Sequence, residues 1–156
     1  MSHPNAELLE QFYRAFQTKD GDGMAAIYAQ DATFSDPVFT DLKGREVGGM
    51  WQMLCKRGKD LNVEYEVLGA DDTTGRARWE AWYTFSGTGR KVHNTVASTF
   101  TFQDGKVVAQ VDDFDFYAWT RMALGPMGLV LGWTPFVQKK IRRTARAGLE
   151  DFLAKP

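Results

Sequence analysis

The chain has 156 residues, 44% of them hydrophobic and 25% charged, with a net charge of −1. Such proportions fit a globular chain long enough to bury a core, and exclude wholesale disorder and an overall basic nucleic-acid footprint. The single cysteine, Cys55, excludes an intrachain disulfide and a cysteine-based zinc site, and His3 and His93 are too few for a His-rich metal site. Aromatic residues reach 13%, with 5 Trp and 11 Phe, enough to fill a core, line an apolar cavity or cover a subunit interface. The N-terminus carries an acidic helical pattern and no signal-peptide pattern. The longest apolar run, "GPMGLVLGW" (125–133), is too short to span a bilayer. A cytoplasmic location is the expectation.

Residues 5–18 place Leu8, Leu9, Phe12, Ala15 and Phe16 at helical spacing, opened near Asn5. "KDGDG" (19–23) breaks that helix as a turn; a calcium loop would need later ligands and a closing glutamate that are not there. A short second helix is expected to carry Met24, Ile27 and Tyr28, and "DATFSDPVF" (31–39) reads as a short strand. Helical spacing returns over 44–57 with Val47, Met50, Trp51 and Leu54. "LNVEYEVL" (61–68) alternates as a half-buried strand. Long strands are predicted over 76–86, 91–102 and 106–117, joined by "GTG" and "QDG". Helices first and an antiparallel meander afterwards predict an α+β domain with helices packed on one face of a curved sheet.

The tail differs in character. "TPFVQKKIRRTARAGLEDFL" opens with Thr134 as N-cap and Pro135 at the first helical position. Phe136, Ile141, Ala145, Leu149 and Phe152 follow near helical spacing, while Lys139, Lys140, Arg142, Arg143 and Arg146 fill the other side. Residues 134–156 hold six basic and two acidic side chains. A basic amphipathic helix can lie on an anionic membrane or bind a partner. The reading adopted is a solvated face on a helix that caps the same domain, without membrane contact.

The order helix, short helix, "YAQDATFSDPV" (28–38), helix, meander resembles the cone-shaped fold of the nuclear transport factor 2-like superfamily. Ketosteroid isomerases, SnoaL polyketide cyclases and limonene epoxide hydrolases are among its members. The likeness covers roughly residues 5–117. It implies an α+β cone, a curved antiparallel or mixed sheet wrapped around N-terminal helices, with an extra C-terminal helix. Residues 1–156 are expected to form one SnoaL-like domain with 118–156 as a helical extension. The ending "DGKVVAQVDDFDF" (104–116) is similar to the last strand of the epoxide hydrolases and SnoaL-like proteins, and the tail to that of a SnoaL-like group of unassigned function.

The resemblance implies two sets of site residues. In the isomerase pattern, Asp36 is the general base, a carboxylate whose pKa rises in an apolar pocket. The two oxyanion donors of that family align with Phe12 and Ser98, with Tyr13 one residue further round the helix. In the epoxide hydrolase pattern, Asp112 activates a water, Glu80 is the acid, and Arg78 orients both carboxylates. That family's water-holding tyrosine and asparagine align with Phe34 and Asp36. Period-two geometry puts Arg78, Glu80 and Trp82 on one strand face, assigned to the cavity, and Trp79, Tyr83 and Phe85 on the other. The latter row is expected to form a homodimer interface through the convex sheet face.

Both patterns place Asp36 and Asp112 on the cavity face with Asn94, Ser98, Phe100 and Phe114. Phe16, Tyr28, Phe34, Trp51 and Trp82 complete the expected lining. His93 is expected on the convex face and Cys55 as a small buried residue. The expected function is binding of a small hydrophobic molecule in an apolar pocket, with cofactor-free acid/base catalysis of isomerase, cyclase or epoxide-hydrolase type. The alternative is a non-catalytic binding or assembly module whose basic C-terminal helix contacts a partner or a membrane. No metal, cofactor or nucleic acid is called for by any motif.

Overall fold

The first helix, α1 (Pro4–Gln17), begins where the His3 ring accepts a hydrogen bond from the Asn5 amide at 3.0 Å. It buries Leu9, Phe12, Tyr13 and Phe16 along one face. This computed structural model describes residues 3–155. The Asp-Gly segment after α1 is itself helical, a correction to the expected turn. Asp20 caps α2 (Gly21–Ala25) by accepting from the Gly23 amide at 2.9 Å, so its carboxylate serves a helix start rather than an ion.

Tyr28, expected on that helix, instead opens β1 (Tyr28–Ser35), which stops before Asp36. A two-residue strand, β2 (Leu42–Lys43), and α3 (Arg45–Arg57) follow. The meander comprises β3 (Asn62–Ala70), β4 (Thr74–Phe85), β5 (Arg90–Gln103) and β6 (Lys106–Asp113). The sheet order is β2-β1-β6-β5-β4-β3. Only the β1–β6 pair is parallel. This mixed sheet curves round the N-terminal helices, and one core of Leu9, Phe12, Phe16, Trp51, Val96 and Phe100 fills the concavity.

The sequence predicts strand as far as 117, but β6 ends at Asp113. Asp115 accepts from the Ala118 amide at 3.0 Å and caps a new helix, α4 (Phe116–Leu124). The local carboxylate cap overrides the β-prone run "FDFY". Two further helices follow, α5 (Pro126–Leu131) and α6 (Pro135–Ala154), the last with the Thr134 cap and first-turn proline read from the sequence. The extension is therefore three helices rather than one.

A second cluster of Val92, Phe116, Trp119 and Ala123 seats α4 on the β4–β5 end of the sheet. Trp119 Nε1 donates to the Tyr83 hydroxyl at 2.8 Å, and Arg90 Nε to the Met122 carbonyl at 3.0 Å. Leu149, Phe152 and Leu153 of α6 join the main core. Arg146 pairs with Glu46 of α3 at 2.9 Å.

α5 lies against α4 through glycine. A Cβ at Gly128 would stand 1.9 Å from the Thr120 carbonyl oxygen, and one at Gly132 would stand 2.0 Å from Thr120 Oγ1. A Gly128→Ala substitution must push backbone apart, and that cost exceeds the better helix propensity of alanine. It is expected to lower stability by about 1–3 kcal/mol, read as a reduced denaturant midpoint. An unchanged midpoint would mean that α5 does not depend on this contact.

Candidate acid/base site

Asp36 sits immediately after β1, followed by a proline that cannot donate to the ladder. Its Oδ1 accepts from the Val38 and Phe39 amides at 2.7 and 2.6 Å, and its own amide donates to the Phe39 carbonyl at 2.9 Å. These bonds close residues 36–39 into a turn and fix the carboxyl. In the parallel β1–β6 register Phe34 faces Gln110 and Ser35 faces Val111. The next residues in that register are Asp36, just past the strand end, and Asp112, whose carboxyl feels the Asp36 charge. Burial pushes the Asp36 carboxyl up to about 6, against the lowering effect of the two amides.

Asp112 is buried. It ends a relay of hydrogen bonds through the interior. Trp51 Nε1 donates to the Tyr28 hydroxyl at 2.8 Å, Tyr28 donates to Gln110 Oε1, and Gln110 Nε2 donates to Asp112 Oδ1 at 2.9 Å. Each acceptor is thereby oriented by the donor before it.

Trp79 Nε1 donates to Ser98 Oγ at 2.9 Å. Ser98 lies close enough to Tyr13 and Asp112 to steady the charged form of each, although neither reaches full hydrogen-bond geometry with it. Among the described residues, the Tyr13 hydroxyl and Asp112 Oδ2 are buried without a hydrogen-bond partner. Such atoms are rare in native interiors.

Desolvation raises the Asp112 carboxyl to about 7, Ser98 and Gln110 pull it back, and the Asp36 charge adds to the rise. Burial and then the Asp112 charge hold Tyr13 well above its ordinary value, so it stays a donor. Tyr83 is also raised, first by burial and further by the Asp36 charge, which sets it beside the same pair. Both carboxyls are thus raised towards neutral pH, chiefly by burial.

The structure brings together Asp36 and Asp112 with Phe16, Tyr28, Phe34, Trp51, Asn94, Ser98 and Phe100 on the concave side. Phe114 lies at the seam between the two clusters. It does not bring in Arg78, Glu80 or Trp82. Arg78 is 59% exposed on the outer face and pairs with Glu66 at 3.0 Å. Glu80 lies 3.4 Å from His93, and Trp82 stacks on that histidine at 4.5 Å. The face assignment of β4 is thus inverted. Trp79 is buried and Tyr83 and Phe85 pack inward, so the row expected at a dimer interface belongs to the interior. Burying two indole or phenol rings is favourable where burying an arginine and a glutamate is costly.

Phe12, Tyr13, Trp51, Trp79 and Phe100 pack the space behind the pair. Two surface depressions stand out, one beside Lys19, Gln52 and Phe152, the other between Val38, Phe39 and the arginines of α6. Neither is lined by Asp112. Gln110 escaped the sequence reading, Tyr13 entered it only as the neighbour of Phe12, and Trp79 only in the row expected at an interface. Gln110 was findable, since it lies two residues before Asp112 on one strand face. Among the described residues no group of three or more His, Cys, Asp or Glu side chains could hold a metal ion.

The raised pKa values fix the sign of a pH effect. Both carboxyls have an ordinary value of 3.8. Between about pH 4 and 7 the folded chain binds protons that the unfolded chain does not, so stability falls as pH rises through that window. Asp60 and Asp71, held low chiefly by the Thr84 hydroxyl and the Thr73 amide, act only below it. Asp112→Asn is expected to remove the larger part of the decline and to stabilise the fold at pH 8 by on the order of a few kcal/mol. Denaturant unfolding across pH reads this; an unaltered pH profile in the variant would contradict it.

The sequence profile of the SnoaL-like domain matches residues 9–110. No curated relative matches the chain. Among solved structures, an M. tuberculosis protein described as an LEH-like epoxide hydrolase is similar, with 22% identity and a TM-score of 0.61 over 85% of this chain and 96% of that one. A putative polyketide cyclase from Xanthomonas campestris pv. campestris has 18% identity and a TM-score of 0.65 over 76% and 96% of the two chains. Bal32a, from a soil-derived mobile gene cassette, has 22% identity and a TM-score of 0.65 over 76% and 95%. At these identities the likeness is one of fold. Matched over well beyond half its length, the chain belongs to the SnoaL-like domain family.

Proposed function

We propose that this protein is a cofactor-independent proton-transfer enzyme of isomerase or cyclase type, acting on a small, largely apolar carbonyl compound. The observation that carries this reading is a pair of buried groups without a hydrogen-bond partner among the described residues, Asp112 Oδ2 and the Tyr13 hydroxyl, with the Asp36 charge acting on Asp112. Asp36 has a free Oδ2 among the described residues and is the base that takes a proton from the carbon next to the carbonyl. Tyr13 and protonated Asp112 donate to the oxygen as its enolate charge develops. Protonated Asp36 then returns the proton to a different carbon, so no cofactor or co-reactant is consumed. Phe34, Trp51 and Phe100 supply apolar walls that keep the carboxyls weakly acidic.

Epoxide hydrolysis is less well supported, because Arg78 and Glu80 lie on the outer face. The filled interior favours a rival reading, a non-catalytic module whose buried network only specifies the fold. With the catalytic reading goes a single domain over 1–156 in the cytoplasm. A homodimer through the outer sheet face, where Leu68 and Val111 are exposed, completes it.

The test is conversion of a β,γ-unsaturated cyclohexenone, and of bulkier cyclic homologues, to the conjugated enone by ultraviolet absorbance. Asp36→Asn is expected to lower turnover by about 10²–10⁴-fold, and Tyr13→Phe by about 10²–10³-fold. Arg78→Ala should leave it unchanged. Inert wild-type protein, with no ketone raising its melting temperature, would favour the rival.

A further inference from the structure

α5 inverts the usual amphipathic arrangement. Its small face, Gly128 with the following Gly132, is pressed onto Thr120 of α4, and its large apolar side chains are left outside. Met127, Leu129, Val130, Leu131, Trp133 and Phe136 are each at least 44% exposed, and Phe136 reaches 73%. A patch of this kind, held rigidly outward by a glycine contact, is built to be covered by something.

Its electrostatic surroundings indicate what covers it. From Phe116 to Leu149 the chain carries six Lys and Arg and no Asp or Glu, although the whole chain has a net charge of −1. On α6, Phe136, Lys139, Lys140 and Arg143 follow the spacing that shares one helix face, and all four are exposed. Among the described residues these three cations are in no ion pair. The apolar tip thus continues directly into a basic stripe. Trp133 is also prepared for an apolar surrounding, because its Nε1 already donates to the Val130 carbonyl at 3.0 Å. No helix among the described residues is long and apolar enough to cross a membrane, so the geometry suits lying on a surface.

We propose that α5 and the first half of α6 form a docking surface for an anionic lipid bilayer. The apolar side chains enter the boundary between headgroups and acyl chains, and Lys139, Lys140 and Arg143 meet the lipid phosphates. The inference is independent of the Asp36–Asp112 reading. A second copy of this chain would bring the same basic stripe against itself, and like charges disfavour that pairing.

The test is flotation of the full chain with vesicles of phosphatidylcholine alone and of phosphatidylcholine with phosphatidylglycerol. Binding is expected only to the anionic vesicles and is expected to weaken with salt. Replacing Lys139, Lys140 and Arg143 by glutamine should reduce partitioning about a hundredfold. Leu129→Glu with Trp133→Glu should abolish it. These positions are exposed, and an unchanged melting curve would show the variants folded. Absence of binding by the folded wild type, or binding untouched by both variants, would overturn the proposal. So would a dimer, seen by light scattering, that Leu129→Glu with Trp133→Glu dissolves.

Discussion

A carboxyl group held inside an aromatic interior is the constraint around which this molecule is organised. Asp112 has little access to water, so the protein must supply what water would have supplied. It does so from three elements in series, with Trp51 on α3 fixing Tyr28 on β1, Tyr28 fixing Gln110, and Gln110 meeting Asp112 on β6. The relay tolerates no loose member, since loss of any donor leaves another polar group stranded in the core. Among the described residues it leaves one oxygen of Asp112 without a partner. Burial is what lifts the carboxyl towards 7.

The C-terminal helices complete this arrangement from outside the sheet. Arg142 of α6 donates from Nε to the Pro37 carbonyl at 2.8 Å and lies over the Phe116 ring. The turn carrying Asp36 is therefore gripped twice, by its own carboxylate from within and by α6 from without. A carboxyl on a free loop would find water and return to its ordinary pKa. Held here, it stays half-buried beside its neighbour. The extension thus both holds Asp36 in place and presents the apolar and basic surface of α5 and α6.

Much of this was legible in the sequence. Helical spacing located α1, α3 and α6, and the alternation of "LNVEYEVL" located β3; the "DATFSDPV" segment drew attention to Asp36, and the likeness of "DGKVVAQVDDFDF" to the epoxide hydrolases drew attention to Asp112. The errors have physical causes. Period-two alternation shows which residues share a strand face but not which face is buried, and the face of β4 was chosen from an arginine–acid spacing rather than from the bulk of Trp79 and Tyr83. Carrying the phase of β5 across the hairpin would have corrected it, because Ala77 pairs with Ser98 and Ala81 with Asn94. Asp115 acted as a helix cap within a β-prone run, and α4 could not be foreseen from that run alone. Tyr13 lies about 100° round α1 from Phe12, yet the core reaches far enough round the helix to bury both.

The most direct measurement of the central claim is a carbon-13 NMR titration of the side-chain carboxyls of Asp36 and Asp112. A coupled pair should titrate in two steps well above the ordinary aspartate range, near about 6 and about 7. The lower step should move when Asp112 is replaced by Asn. Two independent titrations at ordinary aspartate values would contradict the raised buried pair, and with it the proposed acid/base site.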